Sequence, residues 1–201
     1  MITLLRQYGV GGSIRLISDL IKTKLFFKRA RIVRSPYYIR GKGYIDFGAN
    51  LTTGVGIRLD AFGNRSAKDT LIKFGNNIQI NDYVHIGATD SVILEDNVLI
   101  ASKVFISDHN HGNYSGDAHS SPLTIPSERK EYSAPVLIQR NTWIGESVSI
   151  LPGVTIGEGC IIGANSCVTK SIPSFSIAVG TPAKVIKVFN FESKKWEQVE
   201  K

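Results

Sequence analysis

VLIQRNTWIGESVSILPGVTIGEGCIIGANSCV, residues 136–168, carries branched residues on a six-residue beat. Ile138, Ile144, Ile150, Ile156, Ile162 and Val168 form one series. Val136, Thr142, Val148, Val154, Cys160 and Ser166 form a second, offset by two. An amphipathic helix needs a spacing near 3.6, and a hairpin strand alternates briefly and then turns. A sustained period of six matches the hexapeptide repeat of a parallel β-helix, in which a few flat faces make one coil. Each coil buries its branched residues against the coils above and below, so no coil is stable alone. Stacked strands lie about 4.8 Å apart.

The beat recurs upstream in two phases. Phe74, Ile80 and Ile86 keep step, accompanied by Ile78 and Val84. After a slip of two residues, Leu94, Ile100 and Ile106 resume it with Val98 and Val104, and a weaker version starts near Phe47. The expected fold is all-β, with a basic amphipathic segment over 1–35, a β-helix over 36–188 and a tail over 189–201.

The chain has 201 residues, 42% of them hydrophobic, with 19 glycines, which fits one turn-rich solenoid domain. Its two cysteines, Cys160 and Cys167, form neither a disulfide framework nor a zinc motif, so a reducing compartment is expected. No apolar run is long enough to span a membrane, and the N-terminus lacks the apolar core of a secretory signal.

Charge is uneven. Arg6, Arg15, Lys22, Lys24, Lys28, Arg29, Arg31 and Arg34 face one acid, Asp19, within the first 34 residues. That excess equals the whole formal net charge of +7. Leu5, Ile14, Leu16, Ile17, Leu20 and Ile21 can share one side of a helix interrupted at Gly11-Gly12. Such a segment suits either an anionic membrane surface or the open end of the solenoid. Nucleic acid is not an expected partner, because the basic run contains no reader motif.

The rhythm stops between Ser107 and Pro135, in SDHNHGNYSGDAHSSPLTIPSERKEYSAP. A loop of this length in a compact repeat is functional or disordered. Asp108, His109 and His111 open it, and imidazoles titrate near neutral pH.

The motifs RQYGVGGSIRL, INDYVHI, LIASKVFISDHNHG, WIGESVSILPGVTIGEGCIIGANSCVTKSIP and GTPAKVIKVFNFE together resemble the hexapeptide-repeat O-acetyltransferases. This group includes the maltose, galactoside and nodulation-factor enzymes, and the likeness is greatest to the O-antigen (lipopolysaccharide) acetyltransferases. The resemblance implies a left-handed β-helix, a homotrimer with sites between neighbours, and acetyl-CoA as cosubstrate with no metal. It places the catalytic base at His111, with His109 the neighbouring alternative. Asn81 and Asp108 match acceptor positions. Trp143 matches an aromatic wall beside the pantetheine arm, Ala164, Thr169 and Lys170 the CoA channel, and Lys184 and Lys187 the basic positions near its phosphates. The implied acceptor is a sugar or lipid-linked polysaccharide; the expected location is cytoplasmic, and if the acceptor is lipid-linked the basic N-terminal segment would hold the enzyme at the inner face of the membrane.

A neutral imidazole that removes the acceptor hydroxyl's proton during attack on the thioester requires no covalent nucleophile. Asp108, Glu146 or a backbone carbonyl can orient that ring. Each residue also has a plainer reading. Trp143 fills a coil edge, Asn81 satisfies a turn, the lysines are solvated, and His85 and His119 are structural. Two other functions fit the same scaffold: a zinc-dependent carbonic anhydrase using His85, His109 and His111, and a non-catalytic β-helix.

Overall fold

The computed structural model describes residues 2–62 and 70–199. Three parallel sheets run the length of the column, and from Tyr37–Arg40 to Cys167–Val168 each successive strand of the column moves to the next sheet. Face one stacks Tyr37–Arg40, Ile57–Ala61, His85–Ala88, Phe105–Ser107, Ser149–Ile150 and Cys167–Val168. Face two stacks Ile45–Asp46, Ile72–Phe74, Val92–Leu94, Val136–Ile138 and Thr155–Ile156. Face three stacks Thr52–Thr53, Gln79–Ile80, Leu99–Ile100, Trp143–Ile144, Ile161–Ile162 and Ser176–Val179. An antiparallel hairpin then extends face three, Lys184–Asn190 with Lys195–Gln198. The segment 189–201 is read from sequence as a tail, but its residues 189–198 supply part of that hairpin.

Both six-residue series point inward. Ile138, Ile144, Ile150, Ile156, Ile162 and Val168 are fully buried, and so are their counterparts Phe74 to Ile106 upstream. Gly145 shows how closely the rungs approach. A Cβ there would lie 2.7 Å from the Ala164 amide nitrogen and the Ile162 carbonyl oxygen.

The corner between faces two and three is made by asparagines in the left-handed region. Asn50, Asn77, Asn97 and Asn141 all have φ of 58–59°. Their amides form a ladder, each Nδ2 donating to the next Oδ1 at 3.1, 3.1 and 3.2 Å. Asparagine tolerates this backbone because its short polar side chain bonds locally.

The N-terminal helix, Ile2–Phe26, breaks at Gly9 (φ 64°, ψ −178°), two residues before the Gly11-Gly12 pair expected to interrupt it. Only glycine adopts that conformation readily. Its side facing the column is polar: Ser13, Asp19 and Thr23 are buried. Thr23 Oγ1 accepts from the Val33 amide at 2.8 Å, and Asp19 Oδ1 accepts from the Ser35 amide at 3.1 Å. Phe27, just beyond the helix, covers the end of the core through edge contacts with Tyr37 and Phe47. The apolar side of the helix faces outward.

The asparagine ladder yields a stability prediction. Asn97→Ala loses two amide bonds and places alanine in the left-handed region, so it should cost about 1–2 kcal/mol. Asn97→Gly should recover the backbone part. Denaturant midpoints of the two variants check this, and equal midpoints would remove the conformational explanation.

Candidate active site

Along the edge where face one passes to face two, the six-residue step fails between Leu59 and Phe74 and at two later places. From Ile86 to Leu94 the step gains two residues, and after Ile106 the insert intervenes. The two later irregularities meet. Thr89, Asp90 and Ser91, which hold the extra length, turn their backbone amides onto the carboxylate of Asp108. Thr89 N lies 3.0 Å from Oδ1, and Asp90 N and Ser91 N lie 2.8 and 2.7 Å from Oδ2. Asp108 is fully buried.

The remaining capacity of Oδ1 goes to His109, whose Nδ1 lies 2.9 Å away. That bond defines the ring: Nδ1 carries a proton directed at Asp108, and Nε2 has no protein partner among the described residues. Ser107 Oγ lies 3.3 Å from the same Nδ1 and donates to the His109 carbonyl at 3.0 Å. Below the ring there is no side chain. A Cβ on Gly87 would lie 3.3 Å from His109 Cε1 and 4.0 Å from His85 Nε2.

Electrostatics follow from these contacts. Burial pushes Asp108 upward, but His109 and the three amides outweigh it and hold the carboxyl below its ordinary value. Asp108 in turn raises the His109 imidazole above the usual histidine value, against the opposing effect of burial. His85 moves the other way, because its burial outweighs its hydrogen bond to Asp60.

The insert leaves the column as an antiparallel pair, His109–His111 with Glu131–Ser133. The Ala134 amide closes its base on the Asp108 carbonyl at 2.8 Å. His111 lies two residues beyond His109 and is exposed, and its ring has no hydrogen bond among the described residues. Its carbonyl accepts from the Tyr114 hydroxyl at 2.6 Å, and Arg129 Nη1 donates to that hydroxyl at 2.7 Å. Asp108 reaches outward to nothing: both its oxygens are engaged by protein donors.

The other expected residues are dispersed over the column. Trp143 is 49% exposed on face three. It stands in an outward column with Leu99, Ile161, Ile177 and Lys187, set by strand register. Lys184 begins the strand that contains Lys187. Ala164 and Asn81 lie on the edge between faces three and one, and Asn81 borders a cleft of about 440 Å3 with Arg31, Arg34, Gln79, Asp82 and Ser102. Thr169 and Lys170 lie on the edge from which the insert emerges. The chain therefore joins Asp108 to His109 and aligns Trp143 with Lys187, but it leaves these two groups on different faces.

Sequence reasoning did not find the amide cradle or the place of Gly87. The two-residue slip after Ile86 was the signal for the cradle. Among the described residues no group of three His, Cys, Asp or Glu side chains is placed to hold a metal ion. His85 is turned to Asp60 and His109 to Asp108.

Comparisons with known proteins agree with this architecture. Residues 135–170 match the family described as bacterial transferase hexapeptide (six repeats). Over 199 residues the chain is 48% identical to WbbJ of Escherichia coli K12, covering 98% of this chain and 99% of that protein. WbbJ is itself provisionally named a lipopolysaccharide biosynthesis O-acetyl transferase. A maltose O-acetyltransferase from Clostridium difficile 630 shares the fold with a TM-score of 0.58 and 32% identity, over 72% of this chain and 70% of that one. A galactoside acetyltransferase solved with coenzyme A gives a TM-score of 0.51 and 30% identity, over 76% and 74%. Taken with the six-residue columns and the histidine-bearing insert, these matches establish that the chain belongs to the hexapeptide-repeat O-acetyltransferases.

Proposed function

We propose that this enzyme moves the acetyl group of acetyl-CoA to a sugar hydroxyl of a bacterial surface polysaccharide, of the O-antigen (lipopolysaccharide) type, or its precursor. The Asp108–His109 pair carries the reading. A base must present an unprotonated nitrogen in a fixed direction: His109 is held by the buried Asp108 through Nδ1, which leaves Nε2 for the acceptor, whereas His85 spends its Nε2 on Asp60. Its Nε2 takes the hydroxyl proton as the hydroxyl oxygen bonds to the acyl carbon, and later returns that proton to the departing sulfur. Acetyl-CoA supplies the activated carbonyl. Asp108 orients the ring and stabilises its charged form, a role that its sealed carboxylate suits better than direct contact with the acceptor.

The outward column on face three fits the cosubstrate. Leu99, Trp143, Ile161 and Ile177 make an apolar strip, and Lys187 ends it three strand steps from Trp143, roughly 14 Å at the spacing of stacked strands. An apolar arm ending in phosphates has the matching pattern. Lys184, Lys170, Thr169 and Ala164 complete the proposed channel, with Asn81 on the acceptor side. Because the strip and His109 occupy different faces, a second copy is needed to bring them together. A left-handed homotrimer is the arrangement we infer.

The helix supports a place at the inner face of the cytoplasmic membrane. Ile14, Ile17, Ile21 and Leu25 follow helical spacing and are 64%, 55%, 56% and 65% exposed. Arg15, Lys22 and Lys24 flank them, while the only acid of the helix, Asp19, is turned inward. No helix among the described residues is long and apolar enough to cross a membrane.

Three tests follow. His109→Ala should lower turnover by about 10²–10⁴-fold with the circular dichroism unchanged, and His111→Ala should cost less. A collapse confined to His111→Ala would return the base to His111. The acid limb of the kcat/KM profile should lie above the ordinary histidine value of about 6.5, since Asp108 favours the protonated ring. In Asp108→Asn that limb should move to lower pH and the plateau should fall; an unmoved limb argues against the pairing. Finally, the enzyme should sediment with phosphatidylglycerol vesicles and not with phosphatidylcholine vesicles, and added salt should weaken the association. Equal sedimentation of an Ile17→Glu/Ile21→Glu variant would remove the helix from that role.

A further inference from the structure

Two strands before His109 on face one lies a second buried carboxylate that the proposed chemistry does not use. Register places Arg40, Asp60, Gly87 and Ser107 in one outward column. Asp60 occupies an outward position between the core residues Leu59 and Ala61, yet it is fully buried, because side chains roof it. Its Oδ2 accepts from Arg58 Nε at 2.6 Å and lies 3.1 Å from His85 Nε2. Its Oδ1 has no hydrogen-bond partner, and Arg40 Nε stands 3.5 Å away.

Two guanidinium groups thus surround one carboxylate, and both are about half exposed. Each turns its Nε edge inward. Arg40 Nη2 donates to the Tyr38 hydroxyl at 3.0 Å, and the outer nitrogens of Arg58 have no partner among the described residues. Aromatic rings frame the charges. Tyr38 lies 5.4 Å from Arg58, Phe62 lies 5.2 Å from Arg40, and Phe105 lies 5.4 Å from His85, all three rings being exposed at their outer faces.

This cluster adjoins the base. The Phe62 ring packs edge-on against His109 with 5.8 Å between centroids. The missing side chain of Gly87 leaves His85 and His109 on two sides of one gap. Asp60 and Ser107 are two strand steps apart, about 10 Å.

A carboxylate buried with one oxygen lacking a hydrogen bond is a cost to the fold. A second arginine is not required to neutralise it. The pair leaves one unbalanced positive charge on a rim of exposed rings, beside the imidazole that handles the acceptor. Guanidinium forks match the oxygens of carboxylates and phosphates, and aromatic faces take the apolar side of a sugar ring.

We propose that Arg40, Arg58, Tyr38 and Phe62, set in place by Asp60, form a subsite for an acidic sugar of the acceptor, one bearing a carboxylate or a phosphate. The inference rests on the acetyl-transfer reading and narrows its substrate class: the hydroxyl acetylated at His109 belongs to an anionic oligosaccharide. Arg58 grips the anion through its free outer nitrogens, Arg40 assists, and the rings align the sugar along face one toward the gap over Gly87.

The test is calorimetric titration of the native oligomer with a galacturonate disaccharide, its carboxyl-reduced counterpart and glucose 1-phosphate. The acidic disaccharide should bind at least tenfold more tightly than the reduced one. Arg58→Gln should bring it down to the affinity of the reduced ligand, and Arg58→Lys should recover only part. His109→Ala should retain the preference, which separates this subsite from the base. Tighter binding of glucose 1-phosphate than of the uronate assigns the subsite to phosphate, and the reverse assigns it to carboxylate. Equal affinity for all three ligands overturns the proposal, as does a change of oligomeric mass in Arg58→Gln, which would show the arginines holding a neighbouring copy. Acetyl transfer followed in parallel by mass spectrometry keeps the two readings apart. Transfer without charge preference removes only the anionic subsite, whereas charge-selective binding with no transfer from acetyl-CoA to any acceptor removes the proposed reaction.

Discussion

Backbone hydrogen bonds between successive rungs are the constraint to which the rest of the structure conforms. Leu99 N donates to the Thr142 carbonyl at 3.0 Å and Trp143 N to the Cys160 carbonyl at 2.9 Å, and the same exchange repeats along all three faces. Because each rung is locked to the next, a side chain chosen in one coil has its neighbours chosen for it. Inward positions must fill the interior without voids, which the branched series does. Outward positions become columns, so Trp143, Ile161, Ile177 and Lys187 line up although they are far apart in sequence.

A stiff column has little freedom to build a pocket, and it gains that freedom by departing from period at one edge. The added residues after Ile86 cannot enter the core, because the stacking on either side is already complete. They bulge, and a bulge exposes amides that no ladder satisfies. Asp108, the first residue beyond the strand Phe105–Ser107, satisfies three of them at once. The cradle and the carboxylate therefore explain one another: unpaired amides need an acceptor, and a buried anion needs donors. His109 inherits its orientation from that exchange, so the ring proposed as the base is held by the rigid part of the fold although it begins the insert.

The sequence made the architecture legible wherever a residue's role depended on its own position. The six-residue series marked the core, the slip marked the bulge, and the silence between Ser107 and Pro135 marked the insert. Roles that depend on another coil were less accessible. Nothing local to Gly87 shows that His109 lies over it, and nothing local to Asp60 shows Arg40 of the preceding coil closing above it. Which side of the helix meets the column was open in the sequence for a related reason. Ile14, Ile17 and Ile21 have the spacing of a buried stripe, and only the pairing of Thr23 and Asp19 with Val33 and Ser35 shows that the polar side faces the column.

The two Asp–His pairs on face one show how placement, not composition, sets chemistry. Asp108 has both oxygens saturated and directs one bond at His109, so the protonated ring is favoured and the histidine value rises. Asp60 shares its bonded oxygen between His85 and Arg58, and Arg58 itself disfavours charge on the imidazole, so burial prevails and His85 falls. The consequences for stability have opposite signs. The raised value of His109 contributes stability at low pH that is lost as pH rises through it, whereas the lowered value of Asp108 contributes stability above the ordinary carboxylate range that is lost on acidification. Between those limits the pair is held by charge-assisted bonding in which the imidazole is a stronger base than free histidine. Burial, against its hydrogen bond to Asp60, makes His85 harder to charge than an ordinary histidine, so it shifts away from positive charge while His109 shifts toward it. One histidine is prepared to become charged, and its neighbour over Gly87 is kept from competing.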